Sequence, residues 1–448
     1  MKKLFALMIA LVMVMVVSFA FAAEIDVENV IDGETYTAYK ILNYTTDGTA
    51  YSYYLTADEY TSIGSVLETA GFAFTASSDG TQYILNNADT VDVAAVAAYL
   101  SAHAADLGNA LGKATATGAD GEASFTDLAT GYYFVTSTAG SLCALHSETD
   151  IAKAVEKNTI PELDKKQSTI ADSGYTDDTL DFNVGDTVYY QVEITDGKGT
   201  NAAITLTDVM TEGLTYQNDA KVYVGDAEVT AGENTFTLTN SGTGFEIVFA
   251  PAYVASLDEG DIITVKYSAV INDKAVVDAA DANTNTATLE YSAQTQTDKV
   301  DLETYDFVVK KTDGTDFLEG AEFKLYDAAT EGNEIKLKKD DTGYVKDASG
   351  DANIAVDSAD GVNVRGLAPG TYYLEEVVVP DGYNKLSARE AVTITSGQTA
   401  AVEITIENQA GAELPSTGGM GTTIFYVIGG LLIIGAGIVL VARRKAHE

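Results

Sequence analysis

From Val188 to Thr195 the chain alternates with a period of two. Val188, Tyr190, Val192 and Ile194 fall on one face, and Tyr189, Gln191, Glu193 and Thr195 on the other. That period belongs to a half-buried β-strand and not to a helix. Clusters of Asp, Gly and Asn break the flanking sequence into short strands, so a β-sandwich is the natural architecture. The composition agrees, with 26 Tyr and 39 Gly but only 5 Pro and no Trp. Tyr and Thr suit strands, and Asp and Gly suit turns. The chain has 448 residues, enough for roughly three domains of about 150 residues. Cys143 is the single cysteine, so no internal disulfide can brace these domains.

The expected fold is mainly β: tandem immunoglobulin-like β-sandwich domains, the first with added helices. Residues 23–157 form an α+β unit, with helix-like stretches at Ala57–Ala70 and Val91–Leu111 and strands at Thr35–Leu42 and Tyr132–Thr138. Residues 158–299 and 300–410 form a second and a third β-sandwich. A weak internal repeat relates the first and third units. Leu128-Ala129-Thr130-Gly131-Tyr132-Tyr133 resembles Leu367-Ala368-Pro369-Gly370-Thr371-Tyr372, as a shared sandwich topology would produce.

Both ends carry processing signals. Residues 1–22 read as a signal peptide. Lys2 and Lys3 precede an apolar run from Leu4 to Val17, and Ala20-Phe21-Ala22 predicts cleavage after Ala22. Residues 411–448 contain Leu414-Pro415-Ser416-Thr417-Gly418, an apolar stretch from Thr422 to Ala442, and Arg443-Arg444-Lys445. The stretch is long enough to span a bilayer as a helix, with the basic tail inside. The arrangement resembles the cell-wall sorting signal of Gram-positive surface proteins. The resemblance implies a sortase that cuts between Thr417 and Gly418 and passes the Thr417 carbonyl to an amine. The membrane anchor is then transient, and the mature protein is extracellular and attached to peptidoglycan.

Alternation also exposes polar residues on apolar faces. Lys311 shares a face with Phe307 and Val309, Glu376 with Tyr372 and Leu374, and Asn408 with Val402, Ile404 and Ile406. Lys310 falls on the opposite face. Buried alone, an amine or a carboxyl is costly, so the three must satisfy one another. Burial favours a neutral, nucleophilic amine and a protonated acid. Such an amine can attack the Asn carboxamide, the acid can shuttle protons, and ammonia leaves. The product is a Lys–Asn isopeptide bond.

The second unit repeats the pattern. Lys165 shares a face with Leu163, Asp208 with Ile204 and Leu206, and Asn285 with Ala287, Leu289 and Tyr291. Asn283 shares the Asn285 face and stays open as the alternative, whereas Lys166 falls with Asp164 and Ser168. In the first unit, aligning the repeat places Ser137 where Glu376 stands. No acid is available there, so no bond is expected, and this unit is expected to be the softest.

Tyr372-x-Leu374-x-Glu376-x-x-x-Pro380-x-Gly382-Tyr383 resembles the signature of collagen-adhesin B-type domains, and Leu318-Glu319-Gly320-Ala321-Glu322-Phe323 resembles their LxGAxF segment. The resemblance implies a Lys311–Asn408 bond with Glu376 as catalyst. The stretches Thr207–Leu214 and Asn283–Ser292 resemble the acid-bearing and last strands of the middle domain in sortase-assembled shaft (backbone) pilins. That implies Lys165–Asn285 with Asp208 as catalyst. In those pilins the sortase acceptor is a Lys at the end of the first unit. Here Lys157-Asn158 fits, with Val155-Glu156 where the family has Tyr-Pro and without its Trp; Lys153 is the competitor. The implied function is a pilus subunit joined through Thr417 to Lys157 of an identical subunit, with a monomeric wall-anchored adhesin or a minor pilin as the alternative. Implied partners are the sortase, identical subunits and peptidoglycan, with minor pilins and host ligands as further candidates.

The formal net charge of −41 repels phosphate backbones, which argues against nucleic acid. The three histidines, His103, His146 and His447, form no cluster with metal-ligand spacing. Asp347–Asp351 misses the EF-hand pattern and reads as a turn. No cofactor, metal or reaction on an external substrate is expected.

Overall fold

The computed structural model describes residues 23–47, 50–88, 90–108, 110–139, 141–147, 152–197, 202–277, 283–411 and 421–445. The signal-peptide site and Leu414–Gly418 lie outside the described residues.

In the first unit, β1 (Ala23–Glu28), β2 (Thr35–Thr46), β3 (Gly131–Ser137) and β4 (Ala152–Val155) fix the layout. β1 lies between Glu122–Leu128, antiparallel, and β4, parallel. β2 and β3 are central in a seven-stranded sheet. The expected helix forms as α1 (Ala57–Ala70). Thr56 and Glu59 close a capping box at its start, and Gly71 ends it in the left-handed region at φ 115°. Ile63, Leu67 and Ala70 bury its inner face.

The expected helix from 91 to 111 is instead two, α2 (Val93–Ala102) and α3 (Ala104–Leu107). The break has a local cause. The His103 backbone N–H turns to Leu100 O at 3.2 Å, one residue short of the α-helical partner. The His103 ring takes the Tyr99 carbonyl at 2.8 Å and stacks on the Tyr99 ring. His103 is thereby a helix-ending residue.

The second unit is two facing sheets. One contains β5 (Glu162–Ser168), β6 (Thr187–Thr195) and β8 (Ile262–Ile271); the other contains β7 (Ile204–Met210), β9 (Asn283–Tyr291) and β10 (Gln294–Glu303). β6 keeps the expected alternation: Val188, Tyr190, Val192 and Ile194 are fully buried. Ser292, at φ 54°, turns β9 back into β10. Asn285 therefore stands on the penultimate strand of the unit and not on its last. β10 continues to Glu303, across the 299/300 boundary drawn from the sequence.

In the third unit, β11 (Tyr305–Thr312) lies between Val362–Leu367, antiparallel, and β13 (Val402–Glu407), parallel. β12 (Gly370–Val378) belongs to the facing sheet. The β11–β13 pairing repeats the β1–β4 pairing of the first unit. The sequence repeat is a matched corner: Tyr133 Oη donates to Ala129 O at 2.6 Å, and Tyr372 Oη to Ala368 O at 2.7 Å.

The units touch through polar contacts. Buried Glu34 accepts from Ser292 Oγ at 2.6 Å, Ala293 N at 3.2 Å and Gln294 Nε2 at 3.1 Å. Val184 N donates to Gly366 O at 2.9 Å, and Ala368 N to Asn183 Oδ1 at 3.0 Å. Beyond the sandwiches, α4 (Gly421–Lys445) contains one segment, Phe425–Arg444, long and apolar enough to cross a membrane.

Candidate functional site

The second unit brings one polar residue from each of three strands, and a fourth from another, into its apolar core. Lys165 on β5 reaches from its own sheet toward β7 and β9 of the facing sheet. Its Nζ donates to Asp208 Oδ2 at 2.5 Å, and both side chains are fully buried. Asn285 is also fully buried. The fourth residue is Tyr267 on β8. Its hydroxyl accepts from Lys165 Nζ, donates to Asp208 Oδ2, and accepts from Asn285 Nδ2 at 3.2 Å. Tyr190 stacks on Tyr267 with ring centroids 5.2 Å apart, and the Lys165 amine lies 5.1 Å from the Tyr190 ring.

The electrostatics follow from burial. Loss of water holds the Lys165 amine below its ordinary range, against the opposing pull of Asp208. Burial, reinforced by the Asp208 charge, pushes the Tyr267 phenol well above its ordinary range. Asp208 Oδ1 and Asn285 Oδ1 are buried acceptors with no donor among the described residues.

Asn283 shares the face but not the cluster. Its Nδ2 donates to Val276 O at 2.7 Å, and its Oδ1 accepts from Val276 N at 2.9 Å. That carboxamide pins the 272–277 loop to the start of β9. Lys166 points away and pairs with Asp164 and with Glu193 at 3.3 Å.

The third unit assembles Lys311, Glu376 and Asn408, which are 2%, 1% and 1% exposed. Parallel pairing of β11 with β13 sets Lys311 opposite Ile406, and Asn408 N extends the ladder to Thr312 O at 3.0 Å. Asn408 Nδ2 donates to Glu376 Oε1 at 2.8 Å and to Asn384 O at 3.0 Å. Leu386 N donates to Glu376 Oε2 at 2.9 Å and fixes the carboxyl. The Lys311 amine donates to Ile406 O at 3.0 Å and Thr312 O at 3.2 Å. It therefore reaches the carboxyl less directly than Lys165 does. Burial lowers its pKa, opposed chiefly by Glu376. Lys310 is on the outer face, paired with Glu403 at 2.8 Å.

The first unit keeps the layout and changes the chemistry. Its parallel register pairs Val27 with Ala154 and Glu28 with Val155, and Glu156 N extends the ladder to Glu28 O at 2.8 Å. Val27 thus stands where Lys311 does, and Glu156 where Asn408 does. Ser137, beside Glu156, stands where Glu376 does. An apolar residue replaces the amine, a carboxyl the amide, and a hydroxyl the acid.

Glu156 is buried, and its Oε1 accepts from Lys157 N and Asn158 N, both at 2.9 Å. This clamps the turn that presents Lys157, which is exposed and makes no ion pair among the described residues. Lys153 is exposed but engaged with Glu28. Asp347 caps a turn by accepting from Ser349 N and Oγ at 2.8 and 2.7 Å. Among the described residues no group of three or more His, Cys, Asp or Glu could hold a metal.

One member of the second unit's cluster is not evident from the sequence. Tyr267 lies in the alternating run Ile263, Val265, Tyr267, Ala269, Ile271 and reads there as packing. The available signal was its hydroxyl, which needs a partner once the ring is buried.

Residues 305–410 match the SpaA prealbumin-like fold domain, and residues 406–448 match the LPXTG cell wall anchor motif. No curated protein matches the sequence. Among solved structures, the fold is similar to that of the T6 backbone pilin of serotype M6 Streptococcus pyogenes, described as a modular three-domain structure. The TM-score is 0.55 at 16% identity, over 85% of this chain and 81% of that one. The major pilin subunit BcpA of Bacillus cereus matches with TM-score 0.44 at 15% identity, over 87% and 99% of the two chains. The pilus 2b backbone protein of group B streptococcus matches with TM-score 0.43 at 26% identity, over 53% and 98%. This chain is a cell-wall-anchored surface protein with a tandem multidomain pilin fold, its last sandwich a prealbumin-like SpaA domain.

Proposed function

We propose that the protein is the polymerising shaft subunit of a covalent pilus. A sortase joins Thr417 of one subunit to Lys157 of the next, and two internal bonds, Lys165–Asn285 and Lys311–Asn408, brace the second and third units. The observation that carries this reading is the pair of buried amine, carboxyl and carboxamide clusters. Neither has a reason to exist in an apolar core if its members stay separate, because desolvating them is costly.

The chemistry is the same at both sites. The neutral lysine amine attacks the Asn Cγ, forming the Nζ–Cγ bond. The Cγ–Nδ2 bond then breaks, one amine proton reaches Nδ2 overall, and ammonia leaves. In the third unit Glu376 already holds Nδ2 of Asn408, the atom that must be protonated to depart. In the second unit Asp208 holds the nucleophile instead. Each bond closes a loop of about 100 residues or somewhat more, worth about 4.7 kcal/mol if it restricts the unfolded chain as a disulfide does.

The test is an immunoblot of detergent-boiled cell-wall extracts from strains carrying the wild-type chain or Lys157→Ala. A high-mass ladder that collapses on mutation supports the proposal. A ladder that persists moves the acceptor, to Lys153 first. A single band in both strains makes the protein a wall-anchored monomer.

A further inference from the structure

The geometry points to Tyr267 as a catalytic residue of the Lys165–Asn285 reaction, its phenol relaying the proton from the attacking amine to the departing amide nitrogen. The inference rests on the reading of this cluster as a bond-forming site.

Three observations support it. First, the Tyr267 oxygen is the one atom that hydrogen-bonds all three members: Lys165 Nζ, Asp208 Oδ2 and Asn285 Nδ2. It therefore bridges the nitrogen that must lose a proton and the nitrogen that must gain one. Second, among the described residues Asp208 makes no hydrogen bond to Asn285, whereas Glu376 bonds Asn408 directly. The second unit needs a group to bridge that gap, and Tyr267 fills it. Third, the hydroxyl is rigid. The ring stacks on Tyr190, meets Phe245 edge-on at 4.8 Å, and lies in an alternating strand between buried Val265 and Ala269.

The step balances. Lys165 Nζ bonds to Asn285 Cγ and passes one proton to the Tyr267 oxygen. As the carboxamide becomes tetrahedral, Nδ2 turns from donor to basic amine and its hydrogen bond to Tyr267 reverses. The phenol gives its proton to Nδ2, the Cγ–Nδ2 bond breaks, and ammonia leaves. Tyr267 ends as it began. Because burial disfavours the free phenolate, the two transfers are coupled, with Asp208 supporting the phenol.

The experiment follows bond formation in newly synthesised chain from Ala23 to Thr417, wild type and Tyr267→Phe. The Lys165–Asn285 and Lys311–Asn408 cross-linked peptides are quantified against time by mass spectrometry. Removal of one oxygen is expected to slow the first link by roughly 100-fold or more, the usual weight of positioned acid–base catalysis, and to leave the second link unchanged. An equal rate for the first link in both chains overturns the role of Tyr267. Absence of the first link from wild type overturns the underlying reading instead. If Tyr267→Phe disturbs folding, 3-fluorotyrosine at position 267 carries the test. Its more acidic phenol is expected to change the rate of the first link while leaving the second link's rate unchanged, and an unchanged rate for the first link overturns the inference.

Discussion

Consider Glu376→Gln in the chain from Ala23 to Thr417. The substitution keeps the volume of a side chain that is 1% exposed, and a carboxamide oxygen can still accept from Leu386 N. Packing is therefore little changed. What goes is the acid on Asn408 Nδ2, and with it the expected link. Two magnitudes separate the explanations. Loss of one hydrogen bond costs about 1 kcal/mol, which lowers the melting temperature of a domain this size by roughly 4–8 °C. Loss of a link closing a loop of about 100 residues costs about 4.7 kcal/mol, or roughly 20–35 °C by the same scaling. Intact mass and calorimetry on one sample decide it. Once the mass change of the substitution itself is subtracted, the expected variant retains one ammonia that wild type loses, and its third-unit transition falls by the larger amount. A variant that still loses the ammonia refutes Glu376 as the catalyst. A heavier variant that melts within about 8 °C of wild type refutes the link as a source of stability.

Glu34→Ala removes the acceptor for Ser292, Ala293 and Gln294; small-angle scattering should show a larger radius of gyration, at a stability loss of about 2–3 kcal/mol. Burial raises the Glu156 carboxyl above its ordinary 4.5, so between that value and the raised one the folded chain holds a proton the unfolded chain has released. First-unit stability should therefore rise as pH falls through this window, by at most about 1.4 kcal/mol per pH unit, and Glu156→Gln should flatten the slope in pH-dependent melts. The combination Val27→Lys, Ser137→Glu and Glu156→Asn should install a third link, read as one further ammonia lost in intact mass; no loss would mean that register alone does not position the reaction. Limited proteolysis of wild type should cut the first unit before the other two, since it alone has no link under the proposed function.

Much of this architecture was legible because its signals are local. The capping box of Thr56 and Glu59 with Gly71 bounds α1 to the residue, and the β6 alternation survives unchanged. Face assignment likewise separates Lys311 from Lys310 and Lys165 from Lys166. What sequence left open depends on contacts far along the chain. Asn283 and Asn285 share a face, and only the 272–277 loop, folding onto β9, distinguishes their environments. Tyr267 was hidden for the same reason: a tyrosine in an apolar row is ordinary packing until three other strands deliver a lysine, an aspartate and an asparagine to its hydroxyl. The break at His103 escaped notice because an alanine-rich stretch has high helix propensity throughout, and a ring competing for one carbonyl is invisible to propensity.

The parallel pairing of β11 with β13 also sets an order of events. A chain exported N-terminus first releases β11 early, yet its neighbour on that side is not available until Glu407 has emerged. Until then β11 has an open edge, and Lys311 is without Asn408. The sorting motif begins at Leu414, only a few residues later. Completion of the last sandwich and presentation of the cleavage site thus fall at nearly the same moment of export. Under the proposed function, a sortase would meet a subunit whose third unit has just acquired its final strand, so the timing built into the topology would favour assembly of folded subunits over unfinished ones.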